Sequence, residues 1–380
     1  MRRFLSPFVL TLSVILIAGY IYVAFRLGAT WPQRCLLALP FLMVWIVPAV
    51  YWAGDRESST AADELVHAAS YLCMGWLNFL VLLALARDVL LAAAWALHAQ
   101  ALFSLLDDAG PTLVFAGSFA ALAVGLLAAF RGPHLRRVTI PVEGLHPALH
   151  GLRIVQISDL HVGPTIGERY VQRVVQMSNA LNADLIVLTG DIVDGPVSRL
   201  ARHVAPLGEL RARHGSIFIL GNHDCYAGAQ AWIAHFRSLG MEVLLNEYRI
   251  FERDGAKVVV GGVVDPALSL TDPEQKPRPD LAVAPQAGRA LRILLAHNPS
   301  LASRAQEAGF DLQLSGHTHA GQFFPWTIAV RLVHAPHVAG LSRLGSMWVY
   351  VNAGTGTWGP PVRFGTEPEL TLLQLTAHMT

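Results

Sequence analysis

Two hydrophobic patterns divide the chain. Its first third holds apolar runs of about 20 residues, the length a helix needs to cross a bilayer at 1.5 Å per residue; the rest holds short aliphatic runs that end abruptly at polar residues. The long runs predict spans near residues 4–25, 35–53, 65–86 and 111–130. The third sits in an apolar stretch twice as long, interrupted by Arg87 and Asp88. It is read as one span whose helix runs on to the membrane surface, with that pair near its end, because a fifth span would need a two-residue hairpin. Arg2 and Arg3 before an apolar run resemble a signal peptide, but about 22 apolar residues exceed a signal core, and the segment reads as a retained helix.

After a linker at 131–137, β-branched runs at 153–157, 185–189, 217–220, 258–261, 293–296, 312–314 and 348–351 predict strands. Helical periodicity at 167–181, 198–213, 229–239 and 299–308 alternates with several of them, which points to an α/β layered fold. The division predicted is an all-α transmembrane region of about four helices at 1–137 and a catalytic domain at 138–380. The segment 265–288 carries five prolines and little periodicity and reads as a loop.

Charge follows the same division. Of 380 residues 53% are hydrophobic and only 14% charged, against about a quarter charged in a soluble domain. Residues 1–137 hold 9 Arg and 7 Asp/Glu, whereas the remainder has 19 Lys/Arg against 20 Asp/Glu, an ordinary soluble balance. This excludes disorder, a wholly soluble enzyme and a disulfide-stapled secreted domain, and no nucleic-acid partner is expected without a basic excess. With four spans both termini share a side, which collects Arg2, Arg3, Arg56, Arg131, Arg136 and Arg137 against Arg26 and Arg34 opposite. Positive charge favours the cytoplasm, so the catalytic domain is expected there. Cys35 and Cys73 read as packing residues within spans; Cys225 stands alone in the soluble part.

The chemistry lies where the aliphatic runs stop: Ser158-Asp159-Leu160-His161, Gly190-Asp191-Ile192-Val193-Asp194, Gly221-Asn222-His223-Asp224, His297-Asn298-Pro299, and Gly316-His317-Thr318-His319-Ala320-Gly321-Gln322. Ligand sites of α/β sheets commonly sit beyond such strand ends. In an extended continuation residues two apart point the same way, so Asp159 with His161, and His317 with His319, are each expected to offer two donors to one place. Asp159, His161, Asp191, Asn222, His297, His317 and His319 make seven oxygen and imidazole donors without a thiolate. That suits Mn²⁺, Fe²⁺ or Zn²⁺ and exceeds the four or so ligands of a single zinc ion.

These five signatures, in this order and at comparable spacing, resemble the calcineurin-like metallophosphoesterases over roughly 142–375. Gly-His-Thr-His-Ala-Gly-Gln, with the terminal run from Asn352 through Arg363 to Glu369, is similar to a membrane-associated bacterial branch; Ala320, where that branch often carries Gly, is a departure expected to matter little. The resemblance implies a four-layer αββα sandwich. It implies one divalent ion held by Asp159, His161, Asp191 and His319, and a second by Asp191, Asn222, His297 and His317, with Asp191 bridging. It also makes His223 the substrate-facing histidine, so that His223 and Asp191 form the implied catalytic pair. Two such ions make hydroxide available near neutral pH for in-line attack on phosphorus, with His223 bonding the phosphate or protonating the leaving oxygen.

The function expected is a membrane-anchored, dinuclear-metal phosphoesterase of a bacterial inner membrane. It would act on a phosphodiester, pyrophosphate or phosphomonoester of a small-molecule or lipid-linked substrate. The alternatives are a UDP-2,3-diacylglucosamine pyrophosphate hydrolase of lipid A synthesis and a metal-dependent membrane sensor or binding module without turnover. His203, His214, His235, His334 and His337 read as turn caps or surface residues. Asp194 fits either a site support or a helix cap, Asp224 a loop-orienting role, and Arg363 either a phosphate contact or an ion pair.

Overall fold

A computed structural model describes residues 7–47 and 60–377. The chain divides into two compact units, a helical one over Met1–Leu127 and an α/β one taking most of the sequence from Ala128 on.

The helical unit contains α1 (Pro7–Leu27), α2 (Trp31–Ile46), α3 (Ala61–Ala96), α4 (Gln100–Asp108) and α5 (Gly110–Phe130). Among the described residues three helices are long and apolar enough to cross a membrane: Val9–Leu27, Ala62–Ala96 and Gly110–Phe130. The second expected span begins in the shorter apolar Trp31–Ile46; its continuation after residue 47 lies outside the described residues. α3 corrects one expectation. The helix does not end near Arg87 and Asp88 but continues to Ala96. The pair can stay helical because its charges are answered: Arg26 donates to Asp88 at 2.7 and 2.6 Å, the Tyr22 hydroxyl donates to the same carboxylate at 2.8 Å, and Arg87 donates to the Leu106 carbonyl at 2.9 Å. A buried charge persists only when paired in this way.

The α/β unit consists of two six-stranded sheets. The first has β1 (His134–Val142), β2 (Arg153–Ile157), β3 (Leu185–Leu188), β4 (Ser216–Phe218), β5 (Glu242–Val243) and β12 (Glu369–Ala377), in the order β1-β12-β2-β3-β4-β5. β2 to β5 run parallel. The second has β6 (Glu247–Arg253), β7 (Ala256–Gly262), β8 (Leu291–Leu295), β9 (Leu312–Ser315), β10 (Gly340–Leu344) and β11 (Met347–Val351), in the order β10-β11-β9-β8-β7-β6. Its central strands β7, β8, β9 and β11 are parallel.

Strand alternation builds the layers. Ile154, Leu185, Val187 and Ile217 pack with Val258, Val260, Ile293, Leu312 and Leu314 in the core between the sheets. Their neighbours Val155, Ile157, Ile186 and Leu188 turn the other way, onto α6 (Glu168–Asn179), α7 (Val197–Val204) and α9 (Ala229–Ser238), through Val171, Leu200, Trp232 and Phe236. Leu294, Val349 and Val351 face Ala302 and Ala305 of α10 (Ala302–Glu307). Helix, sheet, sheet and helix make the four expected layers.

Three local expectations change. The supposed linker 131–137 is partly strand: β1 begins at His134 and pairs with β12 from His134↔Glu369 onward. Arg136 and Arg137 sit on the exposed part of this edge strand, where charge is tolerated. The helix expected over 198–213 ends at Val204, and a 3₁₀ turn, Ala205–Glu209, follows with Pro206 at its start, because proline removes the N–H that the helix would continue with. Two helices had no counterpart in the periodicity, α8 (Asn222–Tyr226) and α11 (Trp326–His334).

Candidate metal centre

Every polar run named above follows the C-terminal end of a strand, with β2, β3 and β4 contributing from the first sheet and β8 and β9 from the second. The ends converge. Asp159, His161 and His319 bring ligand atoms within 4.8 Å of one another, and Asp191, His297 and His317 form a second such group. In the first, Asp159 Oδ1 lies 3.3 Å from His319 Nε2, and His161 Nε2 lies 3.0 Å from His319 Nε2. In the second, Asp191 Oδ2 lies 3.1 Å from His297 Nε2. Asp191 also reaches toward the first group, 3.9 Å from His161 Nε2. Asn222 Oδ1 stands 3.0 Å from His317 Nδ1.

The local backbone differs from the extended one expected. Asp159, His161, Asp191, His317 and His319 all have φ between 50° and 75°, the left-handed region that non-glycine residues seldom adopt. Each strand therefore curls at its end instead of continuing straight. One consequence is that His317 and His319 do not serve one place: His319 joins Asp159 and His161, while His317 joins Asp191 and His297. Five residues held this way fit the tendency of backbone strain to collect at functional sites. Ala320 is left-handed as well, at φ 53°, so the alanine that replaces the branch's usual glycine is strained after all, by roughly 1–2 kcal/mol.

Glycines let the loops approach. At Gly316 a Cβ would overlap Ser158 Oγ and Asp159 Oδ2. At Gly190, φ 88°, it would come within 2.6 Å of Gly221 N and 2.8 Å of His297 Nδ1. Both positions press strand ends of the two sheets together, and Gly190 also presses the ends of β3 and β4.

The imidazoles are oriented from behind. His297 Nδ1–H donates to the Thr189 carbonyl at 2.8 Å, which turns the buried Nε2 to Asp191 Oδ2. His161 Nδ1 donates to Asp194 Oδ1 at 2.8 Å, aiming its own Nε2 at His319 and Asp159. The same Asp194 oxygen lies 2.9 Å from His223 Nδ1. Although His161, Asp194 and His223 also cluster closely, both ring nitrogens there are satisfied by the carboxylate, so this third group is a support for the other two. Asp194 thus belongs to the site.

Asp224 accepts from the backbone N–H groups of Asp191, Ile192, Val193 and Gly221 at 2.8–3.1 Å and locks the β3 and β4 loops together. Arg363 fits neither role expected for it. It is buried, donates to the carbonyls of His319, Ala353, Gly354 and Gly356, and contacts no carboxylate. Cys225 is buried, and burial pushes its thiol up, away from reactivity. Of the five histidines read as caps or surface, His203 does accept from Glu168 N–H at 3.3 Å, but His334 of α11 stands against the site, its ring 5.4 Å from that of His317.

Electrostatics record the crowding. Burial works against a charged His161, yet the Asp194 carboxylate overrides it and raises the ring to about 9. Burial, and then His297, presses His317 down to about 3. Burial raises Asp191, but His297 beside it holds the carboxyl well below the usual range. Burial, joined by Asp191, lifts Asp224 to about 7. The donors themselves fit divalent cations: carboxylate and amide oxygens, and imidazoles oriented by bonds at the opposite nitrogen.

The chain is similar to known proteins. Residues 152–321 match the calcineurin-like phosphoesterase family. The chain is 35% identical to a zebrafish (Danio rerio) "transmembrane protein with metallophosphoesterase domain" over 98% of its own length and 90% of that protein's. It is 38% identical to a bovine (Bos taurus) protein of the same description over 67% of this chain, which spans about 60% of that relative. It is 32% identical to an uncharacterized Bacillus subtilis metallophosphoesterase, YkuE, over 68% of this chain and 95% of the relative.

Proposed function

Because the chain belongs to the calcineurin-like metallophosphoesterases, a family of hydrolases, and carries apolar helices of membrane length, we propose that it is a membrane-anchored phosphoesterase working with two divalent ions. One ion would be held by Asp159, His161, Asp191 and His319, the other by Asp191, Asn222, His297 and His317. The observation that carries this reading is the convergence of two groups of side chains, Asp159, His161 and His319 and Asp191, His297 and His317, each with its ligand atoms within 4.8 Å of one another. Mn²⁺, Fe²⁺ and Zn²⁺ are all compatible with these donors.

When bound, such ions acidify water and neutralise phosphoryl oxygens. The chain's own residues do the rest. Asp159 and Asp191 are fixed in direction by backbone donors, His317 N–H to Asp159 at 2.9 Å and His223 N–H to Asp191 at 2.7 Å. Asp194 holds the partly exposed His223 ring at Nδ1, which leaves Nε2 to give a hydrogen bond, or a proton, to a phosphate oxygen. The substrate is a phosphodiester, pyrophosphate or phosphomonoester. The arginine distribution supports a cytoplasmic face for the α/β unit, and the terminal run resembling the bacterial branch supports an inner membrane.

Metal analysis of the full-length protein in detergent, paired with hydrolysis of bis(p-nitrophenyl) phosphate, p-nitrophenyl phosphate and a nucleoside pyrophosphate, tests the reading. About two divalent ions per chain and chelator-sensitive turnover are expected. Trace metal with no turnover of any probe would overturn it.

A further inference from the structure

α11 is inverted relative to an ordinary surface helix. Such a helix turns its apolar stripe to the core and its polar face to water; among the nine residues of α11 none is buried. At 100° per residue Thr327, Arg331 and His334 share one narrow stripe, and Trp326, Ile328, Ala329, Val330, Leu332 and Val333 fill the remaining arc. The apolar arc is the exposed one: Trp326 54%, Ile328 54%, Leu332 84% and Val333 75%. Thr327 and His334 of the polar stripe face the protein, and Arg331 is exposed at its edge. Thr327 lies under Gly321, where a Cβ would come within 2.5 Å of its Cα, and the His334 ring meets that of His317. The Thr318 hydroxyl donates to the Val338 carbonyl at 2.6 Å just beyond the helix. α11 is thereby fastened along its length to the loop that bears His317 and His319.

A contiguous apolar face of this kind on a domain surface marks an interaction site, and the composition identifies its occupant. Aliphatic residues with Trp at one end and a cation at the flank are what an interfacial helix presents to lipid. The chain is a membrane protein, and only residues 131–133 separate the last residue of α5 from the first of β1. The geometry points to α11 as an interfacial helix that lies in the headgroup region of the bilayer and sets the mouth of the metal centre on the membrane surface, so that its substrates are phosphoesters presented by the bilayer. The substrate half of this statement rests on the phosphoesterase reading; the docking half does not.

The test uses the full chain with Cys35, Cys73 and Cys225 replaced by alanine, reconstituted in phosphatidylcholine–phosphatidylglycerol vesicles. A single Leu332→Cys carries an environment-sensitive nitrobenzoxadiazole label, and Glu252→Cys on β6 is the control. Quenching of the position-332 label by spin-labelled phosphatidylcholine, with protection from iodide that the control lacks, is expected. Iodide quenching without lipid quenching would overturn docking, and so would protection from both quenchers, which would mean that protein covers the helix. For the substrate half, Leu332→Glu with Val333→Glu should lower hydrolysis of vesicle-borne phosphatidyl-p-nitrophenol about tenfold while leaving soluble bis(p-nitrophenyl) phosphate within twofold. Equal effects on both probes, or none, would overturn it. Absence of turnover of both diester probes by the unsubstituted protein would overturn the substrate half alone if p-nitrophenyl phosphate or the nucleoside pyrophosphate is hydrolysed, and would remove the phosphoesterase reading with it if neither is, with docking still decided by the quenching.

Discussion

Asp194 shows how much one carboxylate oxygen can organise. It accepts from His161, whose other nitrogen points at the candidate ion site, and sits beside His223, whose ring is partly exposed. Asp194→Asn keeps the shape but weakens both orientations. A supporting partner behind a metal-bound imidazole contributes roughly 10–100-fold in metal affinity or activity, so a loss of that size is expected, read by metal titration and by bis(p-nitrophenyl) phosphate hydrolysis. His223→Ala should leave metal content intact and cost about 10²–10⁴ in turnover, the usual reach of a proton-donating side chain; undiminished turnover would remove His223 from the mechanism. The residues that bear the chemistry could be read from the sequence because each interrupts an aliphatic run. What escaped was their conformation. Nothing in Asp159 or His319 announces a left-handed backbone, so extended-strand alternation put His317 and His319 at one place, whereas the family resemblance divides them as the fold does.

Among the elements, the buried parallel strands were the legible ones, since residues hidden on both faces leave uninterrupted Val, Ile and Leu. β1 was obscured by Arg136 and Arg137, which an exposed edge accommodates. α11 was obscured because its apolar arc has no core to match and no side-chain cap marks its start. α9 carries a test at this scale. Trp232 is fully buried against Phe236, and its indole N–H donates to the Gly195 carbonyl at 2.9 Å, one residue from Asp194. Trp232→Ala should destabilise the α/β unit by about 3–5 kcal/mol, measured as a lowered unfolding transition in detergent. At the junction of the sheets, Gly316→Ala forces Ser158 and Asp159 to move. Overpacking of this kind costs about 1–3 kcal/mol, and here a drop in bound metal should accompany the fall in stability.

For the molecule as a whole, the two hydrophobic patterns separated correctly into membrane-length helices and a layered α/β unit, because hydropathy over 20 residues is a coarse signal that local packing does not erase. Removing divalent ions with a chelator should lower the thermal midpoint of the folded protein and abolish turnover, and re-addition should restore both, since a ligand that binds only the native state stabilises it by mass action. Calorimetry with and without chelator reads the first effect directly.

The candidate centre draws Asp159, His161, Asp191 and Asn222 from loops of one sheet and His297, His317 and His319 from loops of the other. A cation seated among them would work as a rivet through both plates of the sandwich. Heat resistance and catalytic competence would then rise and fall together, and a chain starved of metal would lose the grip of one plate on the other before either came apart by itself.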